Sequence, residues 1–291
     1  MQKVLVTGGL GFIGSNLVKT LKSTDKYDIT VIDNLRSPSS DISYKEKNVS
    51  YIIDSILNLD NIKYKDLNFD IIYHLAGLAR IQPSFKDPVA YFEANTLGTV
   101  KVCDLARRCN AKIIYAGSSS AYAGPMKNPY AYTKYEGEEI CKLFSKIYNI
   151  STVTARFFNV YGPRQPIEGQ YATVVGIFQR QYCNGDKITI TGDGEQKRDF
   201  THVYDIVDGL IKLSVSNFSG EIYNLGTSDN FSINELASFF KCETTYIPER
   251  PGEARSSLAD ITATTKDLGW IPNQSLKTYV EEYTIKNERK K

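Results

Sequence analysis

Tyr130-Ala131-Tyr132-Thr133-Lys134 places a phenol and an ammonium four residues apart, so that on a helix both side chains share one face. A phenol, with an ordinary pKa of about 10, is a poor base near neutral pH until a neighbouring cation favours the phenolate. Lys134 supplies that cation. Twelve residues before Tyr130, Ser118 opens the run Ser118-Ser119-Ser120 at the end of the apolar stretch Ile113-Ile114-Tyr115-Ala116-Gly117. A chain with 20 tyrosines will contain such a Tyr-x-x-x-Lys pair by frequency alone. What singles this one out is the serine run ahead of it, at what reads as the end of a buried strand.

A second group of residues points to what the base works beside. Val4-Leu5-Val6 is apolar and β-branched enough for a buried strand, and Phe12 to Leu21 has helical spacing, so Gly8, Gly11 and Gly14 fall in the turn between them. Gly8 permits a backbone excursion, Gly11 lets the main chain approach a pyrophosphate, and Gly14 allows the helix to pack closely on the strand. The helix N-terminus then offers unpaired N–H groups and partial positive charge to phosphates. The next apolar run, Ile29 to Ile32, ends in Asp33, which suits the adenosine ribose hydroxyls and repels a 2′-phosphate. The expected ligand is therefore NAD rather than NADP, with Arg36 the one contrary sign.

These groups need a scaffold. β-rich runs at Val4, Ile29, Val49, Phe69 and Lys112 alternate with helix-compatible segments such as Pro83 to Arg108, and a helix over Tyr130 to Tyr148 leads to a strand at Ser151 to Phe157. That alternation predicts an α/β fold, a doubly wound parallel sheet of Rossmann type, with ligands at its carboxyl edge. From Gly162 onward, prolines and glycines punctuate shorter elements. The expected division is 1–162 for the dinucleotide and 163–291 mainly for substrate, with 199–226 returning to the first part as a helix over Asp199 to Leu213 and a strand over Ile222 to Leu225.

Composition narrows the function classes. The net charge is +2 over 291 residues, and apart from the lysine-rich end at Lys286 to Lys291, read as a solvated tail, there is no basic block, so nucleic acid is not an expected partner. Five widely spaced cysteines without a Cys-x-x-Cys pair suggest neither a disulfide framework nor a zinc knuckle, and two histidines are too few for a metal cluster or a histidine-based triad. No apolar stretch approaches the ~18 residues of a membrane span, and Met1 leads directly into the first strand. A cytoplasmic protein, not bound to a membrane, is expected.

Taken in order, Thr7-Gly8-Gly9-Leu10-Gly11-Phe12-Ile13-Gly14, Asp33-Asn34-Leu35, His74-Leu75-Ala76-Gly77, Asn95-Thr96-Leu97-Gly98-Thr99, Arg156-Phe157-Phe158-Asn159-Val160-Tyr161-Gly162-Pro163, Arg198-Asp199-Phe200 and Arg250-Pro251-Gly252-Glu253 span nearly the whole chain. In these motifs the sequence resembles the extended short-chain dehydrogenase/reductase family, and within it the NAD-dependent nucleotide-sugar epimerases and dehydratases. The resemblance implies that Ser118, Tyr130 and Lys134 are catalytic. It implies NAD contacts from Gly8, Gly11, Phe12, Ile13, Gly14, Asp33, Asn34, Ser55, Leu75 and Phe157, with Asp54 at adenine, Ala76 and Gly77 near the ribose and pyrophosphate, and Tyr130 and Lys134 at the nicotinamide end. Asn159, Arg198 and Arg255 would bind the nucleotide diphosphate of the substrate, with Ser118 and Ser119 at the sugar, while Asn95 would brace the active-site backbone. A homodimer through the helices around Pro83 to Arg108 and Tyr130 to Tyr148 is also implied.

Members of this group begin by oxidising the sugar at C4. The 4,6-dehydratases carry an Asp-Glu pair directly after the catalytic hydroxyl residue and the related decarboxylases keep a glutamate there; this chain has Ser119 and Ser120. Without an acid and base at those positions, the resemblance implies hydride return to the opposite face and a 4-epimerase on a UDP-hexose, ahead of a dehydratase or a non-catalytic NAD-binding sensor. Ser257 falls at the position that gates the sugar C2 substituent. Its small side chain leaves room for an acetamido group, so UDP-N-acetylglucosamine and UDP-N-acetylgalactosamine are expected substrates, ahead of UDP-glucose or UDP-glucuronate. The chain departs from the family pattern in the short stretch between Ser118 and Tyr130, where a longer loop normally borders the sugar pocket.

Overall fold

The computed structural model describes residues 1–287, so the end of the basic tail, residues 288–291, lies outside the described residues. The chain begins with β1 (Gln2–Thr7), the helix α1 (Phe12–Lys22), β2 (Tyr27–Ile32), β3 (Ser50–Ile52) and β4 (Ile71–His74). Then come α2 (Ile81–Lys86), α3 (Pro88–Tyr91), a π-helical turn at Phe92–Leu97, α4 (Gly98–Cys109), β5 (Lys112–Ser118), the short α5 (Ser119–Tyr122), α6 (Pro129–Tyr148) and β6 (Thr152–Phe157). The remainder holds α7 (Val174–Asn184), β7 (Ile188–Thr191), β8 (Lys197–Arg198), α8 (Val203–Val215), β9 (Ile222–Leu225), β10 (Phe231–Ser232), α9 (Ile233–Ser238), β11 (Thr244–Ile247), α10 (Thr262–Leu268) and α11 (Leu276–Lys286).

Seven strands form one parallel sheet in the order β3-β2-β1-β4-β5-β6-β9. Both faces are covered, as a parallel sheet requires. Along β1, Val4 and Val6 enter a core with Leu17 and Leu21 of α1 and Leu210 of α8, whereas Leu5 between them enters a second core with Val102 of α4, Ile113 of β5 and Cys141 of α6. β9 extends the main sheet beside β6, so the chain returns to the first layer after β7 and β8. A third core, built around Phe178, Ile190, Phe200, Leu236 and Phe240, supports the smaller lobe.

The expected helix from Pro83 to Arg108 is broken. Asp87 leaves the helical region at φ −137° and caps α3 by accepting from the Ala90 N–H at 3.1 Å, because Pro88 can start a helix but cannot continue one. The π turn then shifts the register before α4. The expected helix from Asp199 instead starts at Val203, after the Asp199 carboxylate has been taken up by the loop contacts described below.

Candidate active site

The carboxyl edge of the sheet opens into a cavity of about 720 Å³. At one end lies the glycine turn. A Cβ on Gly14 would stand 2.2 Å from the Gly8 carbonyl oxygen, and one on Gly8, whose φ is +70°, would stand 2.8 Å from the Ala76 nitrogen. The backbone can close only with glycine there. Gly11 caps α1 with no side-chain hydrogen bond and no acidic residue follows in the first turn, so the start of the helix, at Phe12 and Ile13 in the cavity wall, offers its partial positive charge without a side-chain cap. This geometry fits a dinucleotide pyrophosphate.

Asp33 is buried at the end of β2 and accepts from the Leu10 N–H at 3.0 Å and the Leu35 N–H at 2.9 Å, which fixes its carboxylate at the cavity wall beside Asn34. Arg36, the contrary sign in the sequence, lies 3.8 Å from Asp87. Asp54 also lines the cavity, but its carboxylate is already occupied: Ser55 N–H, Asn58 Nδ2, Lys63 Nζ and Tyr64 OH all donate to it within 2.7 Å. Those bonds, led by Lys63, hold its carboxyl well below the usual range. With about four lone-pair sites per carboxylate, little capacity is left for an adenine amine, and Asp54 and Ser55 shape this end instead.

At the other end β5 delivers Ser118 and α6 delivers Tyr130 and Lys134. Tyr130 OH donates to Ser118 Oγ at 3.1 Å, and Ser118 Oγ also accepts from the Ser120 N–H at 3.1 Å as the cap of α5. Both acceptor sites of Ser118 are thus used, while among the described residues its own proton finds no acceptor. Ser118 is the serine that touches Tyr130; Ser119 and Ser120 line the cavity beside it. Burial pushes the Tyr130 hydroxyl up, opposed by the Ser118 bond and by the Arg80 charge. Lys134 is buried with its Nζ 4.5 Å from the Tyr115 ring centre, and burial draws its pKa down to about 8 against the pull of Glu138. Glu138 is held in turn by a bidentate pair with Arg156, at 2.9 and 2.6 Å. Helix α6 reaches this depth because Gly137 faces Tyr115; a Cβ there would lie 2.0 Å from the tyrosine oxygen.

Asn95, in the π turn, accepts from the Leu78 N–H at 2.7 Å and donates to the Leu78 carbonyl and to Thr133 Oγ1, both at 3.0 Å. It braces the loop carrying Ala76 and Gly77 against α6. Leu75, Ala76, Gly77 and Phe157 all line the cavity.

On the third side, Asn159 Nδ2 donates to the Asp199 carbonyl at 2.8 Å and to Ser257 Oγ at 3.4 Å, which places the amide beside Ser257. Arg198 lies in the wall with Nη2 3.4 Å from Glu253. Behind it the buried Asp199 carboxylate accepts from Thr227 N–H and Oγ1, Ser228 N–H and Ala259 N–H at 2.8 to 3.1 Å, tying the loops of this lobe together. Arg255 departs from expectation. Its backbone pairs with Lys197, and its exposed guanidinium makes a bidentate pair with Asp193 at 2.8 Å, away from the cavity. Arg250 from the same motif lines the cavity in its place, with Arg180 and Arg80. Arg180 carries a buried Nε without a hydrogen-bond partner. The sequence assigned none of these three to the cavity: Arg80 and Arg180 lie outside the motifs, and in the motif Arg250-Pro251-Gly252-Glu253 no helical or strand period says which way Arg250 points.

Fold and cavity together define the class: a Rossmann-type dinucleotide-binding protein with a Ser-Tyr-Lys cluster at the sheet edge. Residues 4–226 match the NAD dependent epimerase/dehydratase family, and the chain belongs to that family and uses NAD. A protein of Methanocaldococcus jannaschii is 34% identical, with 94% of each chain covered. The UDP-glucose 4-epimerase of Thermotoga maritima, solved with UDP-glucose, superposes with a TM-score of 0.91 at 29% identity, covering 98% of this chain and 99% of the other. The UDP-N-acetylglucosamine 4-epimerase of Methanobrevibacter ruminantium M1, solved with UDP-N-acetylmuramic acid, gives 0.87 at 31% identity, with 97% and 96% covered. Among the described residues no helix is long and apolar enough to cross a membrane.

Proposed function

We propose that the protein is a 4-epimerase of UDP-hexoses that accepts UDP-N-acetylglucosamine and UDP-N-acetylgalactosamine. The observation that carries this reading is the 3.1 Å hydrogen bond from Tyr130 to Ser118 at the sugar end of a cavity that begins at the glycine turn, with Ser119 and Ser120 where a dehydratase has an acid and base. Bound NAD supplies a hydride acceptor that gives the hydride back. Ser118 donates a hydrogen bond to O4 of the sugar and orients it while keeping its own proton, and Tyr130 as phenolate takes the O4 proton as C4 is oxidised. Tyr130 then returns that proton when the hydride comes back on the other face, so atoms and charge balance over the cycle. Lys134 holds the nicotinamide ribose.

Arg198, Arg250 and Arg180 surround the diphosphate, where guanidiniums suit a doubly charged group, and Asn159 orients it. Ser257 leaves volume at the C2 substituent. In this division of labour residues 1–162 with 199–226 serve NAD, and the rest of 163–291 serves mainly the sugar nucleotide. Exposed apolar side chains on adjoining helices, Phe92 (40% exposed), Leu97 (46%), Leu143 (54%) and Ile147 (60%), support a homodimer through this face.

Incubation with a panel of UDP-, GDP- and dTDP-sugars, with products resolved by NMR, tests the proposal. The C4 epimer should form from UDP-N-acetylglucosamine, and Ser257→Tyr should lower that rate by about tenfold or more while sparing UDP-glucose. Exclusive formation of a 4-keto-6-deoxy sugar, or turnover of UDP-glucuronate alone, would overturn it.

A further inference from the structure

Arg80 stands at the start of α2 with φ +82° and ψ 140°, a backbone region that is close to glycine-only. A glycine would sit there without strain. The fold instead holds an arginine in place: Tyr91 OH donates to the carbonyls of Ala79 and Arg80, and Arg80 Nε donates to the Tyr171 carbonyl at 3.1 Å. The same Tyr91 ring packs edge-on against the Tyr130 ring, with centroids 6.1 Å apart. The half-buried guanidinium lines the cavity with Ser118 and Tyr130, and among the described residues no carboxylate lies within ion-pair distance of it. Strain kept for a side chain that has no structural ion pair and faces the reacting end of a cavity calls for a function.

We propose that Arg80 is a positioning residue for the base, a second fixed cation that favours the phenolate form of Tyr130. The groups facing Tyr130 are few. Ser118 accepts its proton-bearing hydroxyl, Tyr91 packs on its ring, and Lys134 follows one turn later but lies over Tyr115. Glu253 is the acidic side chain whose charge reaches Arg80, and it is shared with Arg198. Glu138 faces Lys134 and is neutralised by Arg156. Burial draws the pKa of Lys134 down to about 8 and lowers that of Arg80 as well, but a guanidinium starts from so high a value that it keeps its charge where the ammonium is being lost. Arg80 is therefore the cation that persists over the range in which the base must form.

The inference rests on Tyr130 as the base, yet its test needs no turnover. The phenolate absorbance of the NAD-loaded enzyme is titrated, each form being compared with its Tyr130→Phe counterpart so that the difference isolates Tyr130. Arg80→Gln, which keeps reach and removes charge, should raise the midpoint by about one pH unit or more, roughly tenfold in the ionisation constant. Arg80→Lys should restore most of it. Arg80→Gly, which frees the backbone, should melt no lower than wild type and show the same upward shift. An unchanged midpoint in Arg80→Gln or Arg80→Gly would overturn the proposal, as would lowered melting of Arg80→Gly with no shift. A failed product assay with these shifts intact would count against the epimerase reading alone.

Discussion

Tyr130 sits between opposed influences: burial keeps its proton on, while the Ser118 bond and the Arg80 charge help to take it off. In the proposed reaction a ring without a hydroxyl cannot take its place. Tyr130→Phe should lower kcat by ~10³-fold, within the range for loss of a general base, with NAD content and melting temperature unchanged. Lys134 makes a prediction with a sign. Its folded pKa, about 8, lies below the ordinary 10.5, so the ammonium is held well below pH 8 and is lost as pH rises through it. NAD affinity, followed by fluorescence titration, should weaken on the alkaline side of that value. In Lys134→Met it should be weaker at pH 7 and no longer fall. His74 contributes no such dependence: set between Thr7 Oγ1 at 2.9 Å and Thr99 Oγ1 at 3.0 Å, it is pushed by burial down to about 3 and remains neutral.

At the scale of elements, the site depends on how deeply α6 sits on β5. Gly137 allows the helix to touch Tyr115, and Tyr115 OH reaches the Lys134 carbonyl at 3.4 Å, so helix depth and the position of the lysine are set together. Gly137→Ala forces the two apart. It should cost roughly 1–3 kcal/mol of stability, read from denaturant melts, and should lower kcat more than the KM for the sugar nucleotide, because the base moves while the diphosphate site does not. The break at Asp87-Pro88 and the π turn serve the same end. They bring Asn95 beneath Leu78, so that one amide side chain ties the loop of Ala76 and Gly77 to Thr133 of α6.

For the whole molecule, the apolar residues left exposed on α6 and the π turn predict assembly. Light scattering should find a dimer at micromolar concentration, and Leu143→Glu with Ile147→Glu should give a folded monomer; a monomeric wild type would refute the interface. Much of the molecule was legible in the sequence. The glycine turn, Asp33 at a strand end, the strand and helix alternation and the order of Ser118, Tyr130 and Lys134 along their elements follow from backbone sterics, strand and helix periods and local hydrogen bonding, which act over a few residues. The destinations of the arginines did not. Arg250 and Arg255 lie in one irregular segment with no period to say which way a side chain points; packing against β8 and the Asp193 carboxylate sends Arg255 outward and leaves Arg250 in the cavity. Likewise Asp54 meets Lys63 and Tyr64 where the chain folds back within a few turns, and Arg80 comes to share a cavity wall with Tyr130 only once segments far apart in the chain have packed together. The sequence by itself determined the fold, the dinucleotide turn and the order of Ser118, Tyr130 and Lys134 along their elements. Tertiary structure decided which charges surround them, because a charge finds its partner across space and not along the chain.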